Sequence, residues 1–401
     1  MTELLPIALL ADVTLGKMVQ PSRKHPDEEY LPYLRAAHIQ ANGRLDMTVD
    51  PKMMWFSPGE QRAYQLRAGD VLLVEGGAVG RSVFLPQDLP GLGFQNALIR
   101  LRPIAGTDGR YLDYCLQSAV ANGEINAFST SVSIAHFTAE KVGRFRIPYS
   151  PPDRQRTIAN YLDRETCEID AMIAKLDALM EMLKVRRATA IRRSTQYAED
   201  GAKWRVVPTA HLFASIGSGT TPKGIGYYVE SGAGIPWVTT SELRENLVTA
   251  TLQNVTDEAV AAFSSLHIHP RGSIVVAMYG ATIGRLGILD KDAAMNQACC
   301  AFSCPRDVDP RFFYYSLWGQ RNDLIREAAG GGQPNINQRM LRRWRVPHPP
   351  IEEQRRIADH LDEVTSKIDA MIAKVSELKS LLIERRAALI TDVVTGRKKV
   401  A

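Results

Sequence analysis

The run Gly217-Ser218-Gly219-Thr220-Thr221-Pro222-Lys223 is the closest approach in this chain to a phosphate-binding loop. Such a loop needs backbone N–H groups converging ahead of a helix N-terminus and a closing Gly-Lys-Ser or Gly-Lys-Thr. That ending is missing here, and Pro222 stands where the helix would have to begin, so the run reads as a loop able to approach a phosphate backbone. The histidines His25, His38, His136, His211, His267, His269, His348 and His360 fall in no metal-ligand spacing. His267 and His269 share one face of an extended segment, which suits either a metal or plain solvation. Cys299, Cys300 and Cys304 cluster with no histidine at ligand spacing and read as buried strand thiols. No Walker loop, no glycine motif for S-adenosylmethionine, no NPPY or NPPF run and no acidic cluster with a downstream lysine occurs. The residues form no catalytic constellation.

What remains is recognition chemistry. Polar and aromatic residues gather where loops are expected. Lys17, Arg23, Lys24, Arg35 and Arg81 come with Tyr30, Tyr33 and Trp55 in the first part of the chain. Lys223, Tyr227, Tyr228, Trp237, Thr239, Thr240 and Arg285 follow in the second. Reading base edges takes Arg, Lys, Asn, Gln, Ser and Thr on segments that reach a groove. Tyr33 and Trp237 fit core packing as well, and Arg81 and Arg285 fit either a DNA backbone contact or a domain salt bridge. The tracts Ser129–Ser133 and Gly330–Asn337 look like loops, and Gln333, Asn335 and Asn337 have base-reading, capping or turn chemistry.

These loops need a frame, and the frame is an internal repeat. Arg144–Ile191 recurs as Arg343–Ile390 without a gap, at a constant offset of 199, with Ile169–Lys175 identical to Ile368–Lys374. Each copy reads as one long helix. Ser150 offers an N-cap, Pro151 the first helical position and Asp153 an early acid, and Pro350, Glu352 and Glu353 do the same later. Apolar residues recur at three and four: Ile158, Leu162, Ile169, Ile173, Leu176, Met180 and Leu183, then Ile357, Leu361, Ile368, Ile372, Val375 and Leu382. That is a coiled-coil seam. About 40 residues make a rod on the order of 60 Å, which needs a partner for its stripe. The other copy supplies it, and an antiparallel pair would give a pseudo-twofold internal repeat.

A looser repeat covers the rest. Pro32-Tyr33-Leu34 answers Pro236-Trp237-Val238, and Gly69-Asp70-Val71-Leu72 answers Gly272-Ser273-Ile274-Val275. Gly77–Arg81 answers Gly280–Arg285 with one residue inserted, Gln95-Asn96 answers Asn296-Gln297, and Tyr111–Tyr114 answers Phe312–Tyr315. Short apolar runs between turns predict strands at Tyr33–Arg35, Asp70–Val74, Ser82–Leu85 and Ala97–Leu101, with a helix at Tyr111–Ala121. The chain is therefore globule, rod, globule, rod: 1–147, 148–198, 199–346 and 347–398.

At 401 residues and 45 % hydrophobic content, two cores can form. Net charge is only +5, with 49 Lys and Arg against 44 Asp and Glu, so nucleic-acid binding cannot be argued from charge. Five cysteines without a paired motif suit a reducing cytosol. Met1–Val13 lacks a basic start and a long apolar run, and no window of about 18 apolar residues predicts a membrane span.

Over essentially its full length the chain resembles the specificity subunit of type I restriction–modification systems. The family's Pro-x-Pro-Pro-x-x-Glu-Gln-x-x-Ile-Ala pattern is carried by Pro347–Ala358. The central copy departs at Ser150 and Arg154 and keeps Gln155, Ile158 and Ala159. Gly219–Pro222 and Ile235–Val238 match recognition-domain openings, as do Tyr33–Arg35 and Gly69–Leu72. The resemblance implies an α+β architecture: two α/β target-recognition domains separated by two long antiparallel coiled-coil helices. Each domain would read half of a bipartite, asymmetric site in double-stranded DNA, with half-site centres roughly one turn, or 34 Å, apart. It also implies docking of two modification subunits and, through them, restriction subunits. S-adenosylmethionine, ATP and Mg would sit on those partners and no cofactor on this cytoplasmic, non-catalytic chain. Two other readings stay open: the specificity subunit of a nuclease-free methyltransferase or other phage-defence complex, and a coiled-coil scaffold without DNA function.

Overall fold

The computed structural model describes residues 3–104, 106–129, 136–196, 204–328 and 335–400. It divides into two compact units, Met1–Asp177 with Ser376–Ala401, and Ala178–Val375. Four helices organise them: α1 (Gly109–Ala121), α2 (Pro152–Gln196), α3 (Pro310–Gly319) and α4 (Ile351–Val394). The unit boundary cuts both long helices, so each unit owns the first part of one and the last part of the other.

In the first unit an antiparallel sheet runs in the order Ala11–Leu15, Leu98–Pro103, Val71–Val74, Ser82–Phe84. A second sheet places Glu29–Leu34 between antiparallel Lys52–Phe56 and parallel Gly93–Phe94. Val71–Val74 is buried throughout, because the sheet is covered on both faces. Side chains alternate across a strand. Val71, Leu73, Ile99 and Leu101 therefore meet Tyr111, Cys115 and Leu116 of α1, while Leu72, Val74 and Leu98 meet Leu34 and Phe94 of the second sheet.

The second unit repeats this plan. Phe213–Ser218, Cys299–Pro305, Ile274–Ala277 and Leu286–Leu289 take the same order, and Asn246–Val248 adds a parallel edge. Ile274, Val276, Cys300 and Phe302 face Phe312, Phe313 and Leu317 of α3. Val275, Ala277, Cys299 and Ala301 face Val238 and Met295. The loose repeat in the sequence is thus a repeat of strands. Its glycines hold matching turns, with Gly69 and Gly272 at φ 92° and 82°.

Three local expectations change. Helix α2 begins at Pro152 rather than Pro151, whose carbonyl accepts the first helical bond, from Gln155 N at 2.9 Å. Cys304 is exposed at φ 54°, a left-handed kink late in the strand, whereas Cys299 and Cys300 are buried. His267 and His269 do not share a face: His267 is exposed, and His269 is buried with Nδ1 3.0 Å from Ser303 Oγ. Among the described residues no group of three His, Cys, Asp or Glu could hold a metal, and no helix is long and apolar enough to cross a membrane.

Candidate nucleic-acid interface

Each globule is fixed to the start of its long helix by the same set of side chains. Asp108 caps α1, accepting from Arg110 N at 2.9 Å and Tyr111 N at 3.3 Å. Gln155 accepts from Asp108 N at 2.9 Å and donates to Ser150 O at 2.7 Å. Arg110 reaches Asp163 at 2.8 Å, and Tyr114 donates to Asp163 at 2.8 Å beside Thr166. In the second unit Gln354 accepts from Asp309 N at 2.9 Å, Arg311 reaches Asp362 at 2.7 Å and Tyr315 donates to Asp362 at 2.8 Å. The glutamine of the repeated motif is therefore the buried staple between helix and globule. Its partner lies 47 residues upstream in the first copy and 45 in the second, which sequence spacing did not reveal.

The helices run antiparallel inside each unit. In the first, Arg386 pairs with Asp170 at 3.1 Å and donates to Gln117 at 3.0 Å. Lys379 pairs with Asp177 at 2.6 Å. In the second, Arg187 pairs with Asp369 and lies 5.0 Å over the Trp318 ring. Arg187 and Arg386 are equivalent at the 199-residue offset, as are Asp170 and Asp369, so the two copies exchange roles.

Of the seam residues, Ile158, Leu162, Ile169, Leu183, Ile357, Leu361, Ile368 and Leu382 are buried. Ile173, Leu176, Ile372 and Val375 are half-buried, in the middle turns. Ile158 and Leu162 also join the core of the first globule, and Ile357 and Leu361 that of the second, so the first turns of each helix face more than a helix partner.

The basic candidates separate into used and available side chains. Lys17 is buried, donating to Gln20 at 3.0 Å and pairing with Glu60, so its charge is spent inside the globule. Arg35 is half-buried and donates to Asp50 O at 3.3 Å. Arg285 is half-buried and adds positive potential at Glu245, which Arg321 holds at 3.0 Å. Tyr33 and Trp237 are core residues. Thr239 donates to Glu242 at 2.7 Å, capping a turn, while Thr240 is half-buried. Tyr227 packs edge-on against Phe263 at 5.2 Å. Gln333 lies outside the described residues; Asn335 is exposed.

Arg23, Lys24, Arg81 and Lys223 are exposed. Arg81 lines a cleft of about 770 Å³ with Arg44, Asp170 and Arg386. Arg23 lies 5.3 Å over the Trp55 ring, which in turn packs on Tyr30 at 5.1 Å. Below it Glu28 accepts from Lys24 N at 2.7 Å and from Gln20, which hold its carboxyl down at about 2. This arginine–aromatic stack needed cross-strand register to be seen: Tyr30 faces Trp55 across the hairpin. The arrangement offers loop cations beside flat rings on paired strands, the chemistry of backbone contact and base packing.

The family model for the type I restriction modification DNA specificity domain matches twice, at residues 10–179 and 202–380. The chain belongs to the type I restriction–modification specificity family. Among relatives of this specificity subunit, the Escherichia coli EcoR124I/EcoR124II specificity subunit is 25 % identical over 244 residues, covering 58 % of this chain and 57 % of that protein. The Escherichia coli K12 EcoKI specificity subunit is 22 % identical over 378 residues, covering 87 % and 78 %. The match thus spans less than two thirds of the first of these relatives. A chain from a structure on complex assembly and conformational transition of a type I R-M system superposes with a TM-score of 0.75 at 17 % identity, covering 98 % of this chain and 97 % of its own. The HsdS subunit from Thermoanaerobacter tengcongensis gives 0.50 at 17 % identity, covering 98 % and 96 %. These likenesses establish the fold.

Proposed function

We propose that this specificity subunit reads DNA for a type I restriction–modification complex, each globule taking one half of a bipartite, asymmetric site. The observation that carries this reading is a contrast inside one chain. The lock of Asp, Arg, Tyr, Gln and Thr that fixes globule to helix is repeated residue for residue, whereas the loops carrying exposed cations and aromatics differ. A shared frame holding two unlike readers suits an asymmetric sequence. The two helices set the gap between half-sites and carry apolar positions for two modification subunits, with Met172 and Leu381 among the exposed ones. Those subunits bring S-adenosylmethionine to methylate adenine, and restriction subunits bring ATP and Mg. This chain supplies sequence choice and assembly.

Methylome sequencing of a host carrying this chain with its modification subunit tests the reading. The expected result is one bipartite motif with methylated adenine in both halves. Methylation at a continuous site, or none above a host lacking the chain, would refute it.

A further inference from the structure

One loop stands out in both units. It leaves the first strand of the four-strand order and leads to the second sheet: Gly16–Glu28 in the first unit, Gly219–Tyr227 in the second. Each opens on a glycine for the same reason. A Cβ on Gly16 would lie 2.2 Å from Gln95 O, and one on Gly219 would lie 1.8 Å from Met295 O. Each loop also carries the most exposed large apolar side chain of its unit among the described residues, Met18 at 76 % and Ile225 at 94 %.

These tips sit on built supports. In the first loop Trp55 N donates to Gln20 O at 3.2 Å, and the Arg23–Trp55–Tyr30 stack closes its outer side. In the second, Trp237 Nε1 donates to Thr220 O at 3.2 Å, Tyr228 OH donates to Pro222 O at 2.9 Å, and the two rings pack at 5.3 Å. Thr221 donates to Gln297 at 2.6 Å. Gly224, at φ 120°, and Gly226 flank Ile225 and leave it uncovered. A pinned loop that holds apolar side chains in water, Met18 with Val19 in the first and Ile225 in the second, keeps them unsatisfied until a partner covers them. The charge of the second loop points to a polyanion, and the first tip shares that partner through its equivalent place in the fold. Lys223 is the only charged residue between Gly219 and Tyr227; the first loop carries Arg23 and Lys24 further along from Met18, followed by Asp27 and Glu28, and no ion pair to Lys24 or Lys223 occurs among the described residues. A projecting apolar tip on a loop that also carries an exposed cation suits a groove of duplex DNA, where apolar tips pack on bases while cations take phosphates.

We propose, building on the DNA-reading function above, that Met18 and Ile225 are specificity-determining residues, each packed against the bases of its own half-site. The test uses the full chain assembled with its modification subunits. Affinity is measured by fluorescence anisotropy at several salt concentrations. The probes are a duplex carrying the methylome-defined site and a scrambled duplex. Met18→Ser and Ile225→Ser each lower affinity for the cognate duplex about tenfold, leave the scrambled duplex unchanged and keep the salt slope. Lys223→Ala weakens both duplexes alike and lowers the salt slope by about 1. Unfolding midpoints of the serine variants match the parent, since both side chains are exposed. Cognate affinities within about twofold of the parent in both serine variants, or tip loss that changes only self-association, would overturn the inference. A parent complex without preference for its cognate duplex would overturn the DNA-reading function and this inference with it.

Discussion

Where one central strand of each globule begins beside the end of the other, equivalent positions carry opposite chemistry. In the first, Asp70 is buried and clamped by Arg102 through two bonds of 2.8 Å, with Arg67 N donating to it at 2.8 Å. In the second, the same places hold Ser273 and Ser303, hydrogen-bonded at 2.8 Å, with His269 3.0 Å from Ser303. A charged pair has become a neutral triad inside an unchanged strand register, Val71 against Leu101 and Ile274 against Phe302. A second difference lies on the following helices. Asp113 is buried on α1, where it accepts from Ser82 and, at 2.8 Å, from Gln117. Its counterpart on α3 is Tyr314, packed on Trp318 at 5.6 Å. The fold is held by ladders, by apolar alternation and by the staple to the long helix, which both copies keep; the polar groups buried at Asp70 and Asp113 and at Ser273, His269 and Ser303 are private to their own globules. Such differences inside one frame suit the two readers proposed above.

Acid should separate the globules most. Burial pushes Asp113 up to about 6 from an ordinary 3.8. Its contribution to stability is present below pH 3.8 and is lost as pH rises through 6. Burial, with His267 nearby, pushes His269 down to about 4 from 6.5. Its contribution is present above pH 6.5 and is lost as pH falls toward 4. Between pH 6.5 and 4 the first globule therefore gains and the second loses, each by on the order of 3 kcal/mol from these groups. Hydrogen exchange resolved by segment, at pH 7 and pH 5, should show protection moving in opposite directions at α1 and at the strand Cys299–Pro305. Asp113→Asn and His269→Gln should each flatten only their own globule's response.

The ion pair and the triad should differ in cost. Asp70→Ala strands a partly exposed guanidinium and a backbone N–H and should destabilise the first globule by about 2–3 kcal/mol. Ser273→Ala should cost the second about 1 kcal/mol. Urea midpoints read globule by globule check the pair, and equal losses would erase the distinction. The staples should behave alike instead: Gln155→Ala and Gln354→Ala each cost about 1–2 kcal/mol, with the two within measurement error. Unequal losses there would break the claim of a common frame.

What was legible in the sequence follows from the range of the forces involved. The long helices and their repeat were plain, because helix periodicity is local and the two copies carry it in step. The strand repeat was visible through its glycines, since Gly69 and Gly272 satisfy the same backbone demand. The staples are hidden although Gln155 and Gln354 stand in the repeated motif, because their acceptor role depends on caps far upstream. Among the cations, sequence gives charge but not partner. Lys17 and Lys24 looked alike, yet only Lys17 meets Glu60. Met18 and Ile225 carry no polar chemistry, so residue type does not mark them and only their exposure does.

The central claim is two independent readers on one frame, and exchanging one reader tests it most directly. Residues 1–147 would be replaced by the corresponding segment of another family member, and the host methylome sequenced with the same modification subunit. The account predicts a bipartite adenine motif in which one half changes while the other half stays as in the parent. A motif unchanged in both halves, or changed in both, would contradict it.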